Sequence, residues 1–391
     1  MNQPQARRES LTTIAREWGR IGCIGFGGPP AHIALLRALC VVKRQWLSAQ
    51  EFEDGVATTN LLPGPASTQL AIYCAWRLRG ARGAVVGGVC FIVPGLIVIL
   101  ALSALFLASH PPRWAVGAAG GAGAAVPAVA LAAAIGLAPA SWRRAGTGRA
   151  ARLRWAGYLI AGGAAAALVG PFLVLVLAGC GLTELLVTRR PWRRAAPGPP
   201  PALLPLLAAT AVPAGGLLSV AWVAVKVGAL SYGGGFVIIP LMQRDAVHTY
   251  HWMTSAQFLS AVALGQITPG PVVQTVAVVG YAAAGIGGGL LASLVAFTPS
   301  FVFVLAGGPR FDQLRRNQAI QAFLSGAGPA AIGAIAGATV PLALALAHLW
   351  QLAVLTLAAA WLIALRRGVV SALVGAAALG VVAALAGAPA G

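Results

Sequence analysis

Charged residues are scarce in this sequence, and acidic residues are the scarcest of them. Among 391 residues there are only eight Asp and Glu, against 27 Lys and Arg, and all charged residues together make up 9% of the chain. Soluble globular domains carry about 25% charged residues, so the composition excludes an ordinary soluble fold. The sequence also lacks the G-x-x-x-x-G-K-[ST] phosphate-binding motif and any C-x-x-C pair among its five cysteines. We therefore predict no ATP-driven activity, no metal site and no cofactor.

Hydrophobic residues dominate what remains. They make up 59% of the chain, and the mean hydropathy is +0.83. A helix that crosses the hydrocarbon core needs about 20 apolar residues, and the sequence contains many such runs. We predict an all-α polytopic membrane protein that is embedded in a lipid bilayer, with roughly ten to twelve membrane segments when broken helices are included.

The formal net charge of +19 resembles that of a nucleic-acid-binding protein, but its distribution indicates otherwise. The Arg residues cluster in short segments between apolar runs, at Arg77–Arg82, Arg143–Arg154 and Arg189–Arg194. Such clusters mark the cytoplasmic loops of membrane proteins. We therefore place these loops in the cytoplasm and predict no nucleic-acid partner.

The chain contains an internal duplication. Asn60-Leu-Leu-Pro-Gly-Pro-Ala-Ser-Thr-Gln69 reappears 206 residues later as Gln266-Ile-Thr-Pro-Gly-Pro-Val-Val-Gln-Thr275, and the same shift relates Trp46 to Trp252. A register held over two Gly- and Pro-bearing motifs indicates a repeat. We predict a first repeat at residues 1–187, a basic Pro-rich linker at 188–202 and a second repeat at 203–391.

The charge pattern of matching loops differs between the two repeats. The segment that matches Arg77–Arg82 is Ala282–Gly289, which is uncharged, whereas the lone Arg113 corresponds to the basic segment Arg310–Arg316. Because basic loops face the cytoplasm, we predict that the repeats lie in opposite orientations. The expected architecture is an inverted repeat with Gly/Pro-interrupted helices, as in many secondary transporters.

Breaks in apolar segments predict the binding site. Proline interrupts a helix, and irregular backbone at membrane depth persists only where it is buried in protein or lines a wet cavity. Paired breaks in two halves indicate a transporter's substrate site. The predicted break residues are Phe26, Gly27, Gly28, Pro29, Pro63, Gly64 and Pro65 in the first repeat and Tyr232, Gly233, Gly234, Pro269, Gly270 and Pro271 in the second.

Neutral donors and two basic residues accompany these breaks. A half-helix that begins inside the membrane presents free N–H groups and the positive end of its dipole, which together attract an anion. The predicted substrate-binding side chains are Asn60, Ser67, Thr68, Gln69, Gln266, Gln274, Thr275, His32 and Lys226. Alternatives remain open: the breaks could be packing kinks with Ser67 and Thr68 as helix caps, His32 an interhelical hydrogen-bonding residue, and Lys226 a residue that snorkels to the interface.

Several ordered motifs resemble the chromate transporter (CHR) family. In the first repeat they are Phe26-Gly-Gly-Pro-Pro-Ala-His-Ile33, Leu62-Pro-Gly-Pro-Ala-Ser-Thr-Gln69 and Phe91-x-x-Pro94. In the second they are Tyr232-Gly-Gly-Gly-Phe236, Ile267-Thr-Pro-Gly-Pro271 and Phe297-x-Pro-Ser-Phe301. The resemblance implies the two-domain, long-chain form of that family: a multi-pass protein of the bacterial inner membrane that exports chromate, confers chromate resistance and is linked to protons.

The implied export agrees with elementary energetics. Each elementary charge moved across the membrane is worth about 2.3 kcal/mol per 100 mV, so a dianion gains free energy on leaving an inside-negative cell. The substrate expected is chromate or a similar divalent oxyanion. Import or exchange of sulfate is the alternative transport function, and a membrane-embedded enzyme acting on lipid phosphate is the alternative from another class. Candidate proton carriers are His32, Glu51, Glu53, Asp54 and Asp245, and a homodimer is compatible with the sequence.

Overall fold

A computed structural model describes residues 9–60, 62, 64–108, 110–169, 173–188, 216–231, 235–307 and 317–389. Pro63, Tyr232, Gly233, Gly234 and nearly all of the predicted linker fall outside this description. Across the described ranges the regular secondary structure is helical, without a strand. Fourteen α-helices follow one another: α1 Leu11–Ile24, α2 Gly28–Arg37, α3 Ala49–Thr59, α4 Ala66–Phe106, α5 Arg113–Arg144, α6 Arg149–Ala164, α7 Leu173–Thr188, α8 Gly216–Leu230, α9 Ile239–Gln243, α10 Ser255–Ile267, α11 Thr275–Gly307, α12 Gln318–Leu344, α13 Leu349–Ala359 and α14 Val369–Leu385.

The first two helices form a hairpin, which we call the first hairpin. Its tip is the break at Gly25–Gly27, and Gly27 has the left-handed φ of 97° that glycine tolerates. A π-helical turn, Ala38–Lys43, extends α2. The far ends of the two arms meet again, because the Arg44 guanidinium donates to the Glu17 carboxylate at 2.5 Å and Trp46 stacks on Trp18.

The second hairpin consists of α3 and the first part of α4, with Gly64 and Pro65 at its tip. A capping box at Ser48 starts α3, and the break at 60–65 reverses the chain. Gly55 packs against Leu70 and Tyr73, and an ion pair joins Glu51 to Arg77 at the base. The predicted break is therefore present between α3 and α4, and the two helices lie side by side.

The second repeat contains the corresponding third and fourth hairpins. In the third, Lys226 of α8 pairs with Asp245, which lies in the π-helical turn after α9. In the fourth, α10 begins at a capping box on Thr254, as α3 does at Ser48. Its tip bears the second Pro-Gly-Pro, and Gly265 packs against Thr275 across the bend.

Helices α4 and α11 each contain a sharp turn. Arg79 and Gly80 adopt φ/ψ of −146°/23° and 59°/−149°, and Ala284 and Gly285 adopt −152°/32° and 61°/−153°. Gly87 consequently packs against the Ala75 methyl, which a straight helix would place about 18 Å away. These matching turns are 205 residues apart, whereas the Pro-Gly-Pro motifs are 206 apart, so the repeats differ by one residue between motif and turn.

The long arms that follow these turns establish the relative orientation of the repeats. Residues 81–106 of α4 and 286–307 of α11 are equivalent, yet they pack antiparallel: Gly88 lies against Phe301, and Gly289 lies against Leu100. Equivalent helices that run in opposite directions define an inverted repeat. The inverted-repeat prediction is confirmed.

The remaining helices pack reciprocally between the repeats. Gly117 and Gly121 of α5 contact Ala384 and the Ala376 carbonyl of α14, while Gly333 of α12 contacts the Leu159 carbonyl of α6. These small residues let helix backbones approach closely, as membrane helices commonly do. By length and composition, four described segments can cross a membrane: Ala66–Phe106, Arg113–Arg144, Val272–Gly307 and Gln318–Leu344. The chain is an all-α polytopic membrane protein.

Candidate oxyanion site at the hairpin tips

The four hairpin tips meet in two pairs, and each pair joins one repeat to the other. The Gly64 amide donates to the Ser231 carbonyl at 2.8 Å, and the Gly270 amide donates to the Gly25 carbonyl at 3.0 Å. These two bonds are equivalent, since Gly64 matches Gly270 and Gly25 matches Ser231 at the 206-residue shift. We call the contact around Gly64 and Ser231 the first junction and the contact around Gly270 and Gly25 the second junction.

Both junctions lie near the middle of the long arms that surround them. Gly64 faces the Ser300 hydroxyl on α11, and Gly270 lies beside Gly95 on α4. The 205-residue shift that governs these arms makes Gly95 the counterpart of Ser300. The broken backbone is thus enclosed by protein at membrane depth, which is the condition under which irregular structure persists there.

The second junction is tightly packed, and its polar side chains have partners among the described residues, with the exception of the buried Gln266 amide nitrogen. A methyl group at Gly95 would overlap the Pro269 carbonyl oxygen. The Gln274 amide donates to the Ile92 carbonyl at 2.8 Å and accepts from the Ser293 hydroxyl at 3.3 Å, and the Thr275 hydroxyl donates to the Val272 carbonyl. Gln274 and Thr275, two of the predicted substrate residues, thus hold this junction together.

The first junction keeps several polar groups without a partner. The hydroxyls of Thr68, Ser231 and Ser300 are buried and have no hydrogen-bond partner among the described residues. A buried polar group left unpaired costs about 1–3 kcal/mol. Their concentration near one hairpin tip indicates a place built to receive hydrogen-bond acceptors.

A helix start at the first junction adds backbone donors. α4 begins at Ala66 after Pro65, and no side chain caps it. The Thr68 and Gln69 amides both turn back to the Pro65 carbonyl at 3.0 Å. The first N–H groups of such a helix point outward and carry the positive end of the helix dipole, which favours an anion.

A cavity of about 550 Å³ leads to this helix start. On one side it is lined by the tip of the second hairpin, including Asn60, Gly64 and Ala66. Arg143 and Arg144, at the end of α5, line another part, and the α12 wall is small or apolar. The cavity thus combines two cations with free helix N–H groups, and no carboxylate is among its lining residues.

The corresponding space in the second repeat is filled. Leu259 of α10 packs its side chain against Gly123 of α5. In the first repeat the cavity takes the equivalent place, between the second hairpin and α12. The two halves are therefore related in sequence but differ in their packing at this position.

Sequence comparison identifies the family. The model of the family described as "Chromate transporter" matches residues 12–185 and 218–384. The chain belongs to the chromate transporter family.

Characterised and uncharacterised relatives agree with this assignment. The chain is 33% identical over 342 residues to the chromate transport protein of Cupriavidus metallidurans, covering 85% of this chain and 83% of that protein. It is 32% identical over 341 residues to the probable chromate transport protein of Synechococcus elongatus, covering 85% and 84%. An uncharacterized transporter of Methanocaldococcus jannaschii is 26% identical over 329 residues, covering 79% and 78%. No solved structure matches the chain significantly.

The remaining predicted residues of this chromate transporter family member lie around the junctions in different settings. His32 is buried between the Gly25 carbonyl, 2.9 Å from Nε2, and the Ser67 hydroxyl, 3.3 Å from Nδ1. Lys226 pairs with Asp245 and lies 5.7 Å from the Trp222 ring centre. Phe26 is 44% exposed and Pro29 is half-buried at the start of α2, so both lie at the edge of the first hairpin tip.

Three functional features escaped the sequence reasoning. Ser231 and Ser300 were not predicted as site residues, although Ser231 is the first residue of the predicted break Ser231-Tyr-Gly-Gly-Gly-Phe236. Arg143 and Arg144 were treated only as orientation signals, whereas they line the cavity. A comparison of the two repeats at the 205- and 206-residue shifts would have shown that serine replaces glycine at both junction positions.

Proposed function

We propose that this protein exports chromate, or a closely similar divalent oxyanion, from the cytoplasm across the bacterial inner membrane and thereby confers chromate resistance. The observation that carries this proposal is the cavity that places Arg143 and Arg144 at one part of its wall and the uncapped helix start at Ala66 at another. Cations and helix N-termini attract anions, and the names of the relatives indicate which anion.

The side of loading follows from the same cavity. Arg143 and Arg144 belong to the basic cluster 143–154, and such clusters stay in the cytoplasm. In this orientation the cavity opens to the cytoplasm, so the dianion enters from the side from which it is to be removed. The membrane potential then favours its exit by about 2.3 kcal/mol per charge per 100 mV.

The substrate-binding residues of this proposal are grouped by role. Asn60, Ser67, Thr68 and Gln69 supply donors at the first junction, where Gly64 and Pro65, which has no N–H, precede the start of α4; Gln266, Pro269, Gly270, Pro271, Gln274 and Thr275 form the opposing tip. Phe26, Gly27, Gly28 and Pro29 lie at the tip of the first hairpin, and Tyr232, Gly233 and Gly234, which are outside the described residues, are included as their counterparts in the repeat. Lys226 attracts the dianion in competition with Asp245, and His32 orients Ser67.

Proton linkage belongs to the proposal through the family resemblance. Among the candidates, Glu51 is engaged by Arg77, whereas Asp245 is a buried carboxylate whose partner is the candidate substrate residue Lys226. Proton uptake by Asp245 would release Lys226 toward the anion. This arrangement makes Asp245 the preferred carrier over Glu51.

The test is chromate flux in membrane vesicles of both orientations. The imposed potential should make the cytoplasmic face of the membrane negative, as it is in the cell. Under this potential, everted vesicles that contain the protein should accumulate chromate, and right-side-out vesicles should not. Excess sulfate measures selectivity, and an imposed pH gradient measures proton linkage. Two results would contradict chromate export: accumulation of sulfate without chromate, or entry of chromate into cells in place of exit. Either result would favour the alternative function, import or exchange of sulfate or a related oxyanion.

A further inference from the structure

The two junctions are related by the repeat, but their side chains are not the same. The Ser231 carbonyl and the Ser300 hydroxyl approach Gly64 at the first junction, whereas Gly25 and Gly95 take the corresponding places around Gly270 at the second. Steric crowding explains why the second junction has glycine at these two positions, but it does not explain why the first junction has serine. At Gly25 a methyl group would lie 2.7 Å from the His32 ring, and at Gly95 it would overlap the Pro269 carbonyl.

The hydroxyls of these two serines are unusual among the buried hydroxyls of the described helices. Ser103 donates to the Ile99 carbonyl at 2.7 Å, and Thr268 donates to the Leu264 carbonyl at 2.8 Å. A serine or threonine in a membrane helix has this carbonyl one turn back within reach. Ser300, which is fully buried in α11, makes no such bond, and neither does Ser231 at the end of α8.

The Ser300 hydroxyl lies at the first junction, next to the cavity wall. It is 3.3 Å from the position that a Cβ atom on Gly64 would occupy, and the Gln69 amide nitrogen is 2.5 Å from the same point. Gly64 itself lines the cavity. Two hydrogen-bond donors therefore approach one glycine at the tip, where the backbone has no side chain in the way.

We propose that Ser231 and Ser300 bind the transported oxyanion, and that the protein has one such site, at the first junction. The proposal rests on the proposed transport function. A fully deprotonated tetrahedral dianion carries only acceptor oxygens, and hydroxyl groups and helix N–H groups supply matching donors. Neutral donors hold the anion without a fixed counter-charge, so the site binds it and still releases it.

The experiment compares Ser231→Ala, Ser300→Ala and the double variant with the parent in proteoliposomes. Since a hydrogen bond to a charged group is worth more than a neutral one, we expect each single change to raise the chromate KM about tenfold, and the double change more. Ser103→Ala is the matched control, because it removes an equally buried hydroxyl that already has a partner. Its KM should stay at the parent value.

A thermal readout separates binding from a structural role. Because the two hydroxyls have no partner among the residues that the structure describes, their removal should not lower the melting temperature of the anion-free protein. It should abolish the rise in melting temperature that chromate, sulfate or molybdate produces in the parent. A lower melting temperature without anion, with a normal response to anion, would show a structural role and overturn the proposal.

The outcomes also separate this proposal from that of chromate export. If the parent transports chromate, and the serine variants have the same chromate KM and the same thermal response to anions as the parent, the export proposal stands and the serine assignment is wrong. If the parent does not transport chromate, export fails, and the serines are then judged by the sulfate and molybdate responses. The assignment survives if the variants lose those responses, and it fails if they keep them or if the parent shows none.

Discussion

Gly64 of the first repeat donates its backbone N–H to the carbonyl of Ser231 in the second, at 2.8 Å. The equivalent bond from Gly270 returns to Gly25 in the first repeat, so each half satisfies a backbone group that the other half leaves open. Unpaired backbone groups cost several kcal/mol each in hydrocarbon. The paired breaks are therefore stabilised by each other as well as by the arms around them.

A methyl group at Gly95 should disrupt this arrangement. Gly95→Ala would place its Cβ against the Pro269 carbonyl, which is backbone and cannot rotate away. We expect a destabilisation of about 1–3 kcal/mol, typical of an overpacked site, and a loss of chromate flux. Thermal unfolding in detergent and vesicle flux measure the two effects. Gly136→Ala on α5, where no atom lies within 4 Å, is the control and should be neutral; equal behaviour of the two variants would contradict the packing at the second junction.

The inverted repeat predicts where two exposed turns face. Single cysteines at Arg79 and at Gly287 lie at or next to the matching turns of α4 and α11. A membrane-impermeant maleimide should reach the first only from the cytoplasm and the second only from the periplasm. Background labelling is measured on the parent, whose Cys23 is exposed. Labelling of both positions from the same side would contradict the antiparallel packing of the long arms.

Arg143 and Arg144 should capture the anion by long-range attraction. Replacing both with Gln should raise the chromate KM about three- to tenfold at low ionic strength, and the effect should shrink as salt screens the charges. Arg149→Gln is the matched control, since Arg149 is also exposed but does not line the cavity. An increase in KM that is the same at all salt concentrations would exclude electrostatic capture.

Variants of the Lys226–Asp245 pair distinguish a role in stability from a role in transport. Both side chains are only 10% exposed, so Asp245→Asn leaves a buried cation unpaired and should cost about 3–5 kcal/mol of unfolding free energy. Adding Lys226→Met removes that cation and should restore most of the stability. We expect the double variant to remain impaired in chromate flux. A stable double variant that transports like the parent would show that Lys226 serves only the fold.

The sequence predicted the breaks and the inverted repeat because both depend on local chemistry. Pro63-Gly64-Pro65 cannot continue a helix in any environment, and the Arg distribution responds directly to the membrane. The turn at Arg79–Gly80 was harder to predict, because it lies inside a continuous helical sequence and only Gly80, with its φ of 59°, indicates it. An apolar run from about Gly83 to Ala108 was expected, but not its contact with the equivalent arm of the other repeat.

The hydrogen-bond partners of the site residues could not be read from spacing. Gln274 donates to the carbonyl of Ile92, 182 residues earlier in the chain, and a backbone carbonyl leaves no trace in the sequence. Lys226 and Asp245 are 19 residues apart on the two arms of one hairpin, so their pairing requires the reversal at a break. The repeat comparison alone could have indicated Ser231 and Ser300, since both stand opposite glycine.

The reciprocal bonds at the junctions also mean that neither repeat is a self-sufficient folding unit. A first repeat inserted alone would leave the Gly64 amide without its Ser231 partner, whereas the Gly25 carbonyl would keep its contact with the His32 ring. An equivalent partner for the Gly64 amide would come from a second copy inserted upside down. A protein that consisted of one repeat would thus have to insert into the membrane in both orientations. When two repeats are joined in one chain, each repeat needs to insert in one orientation only.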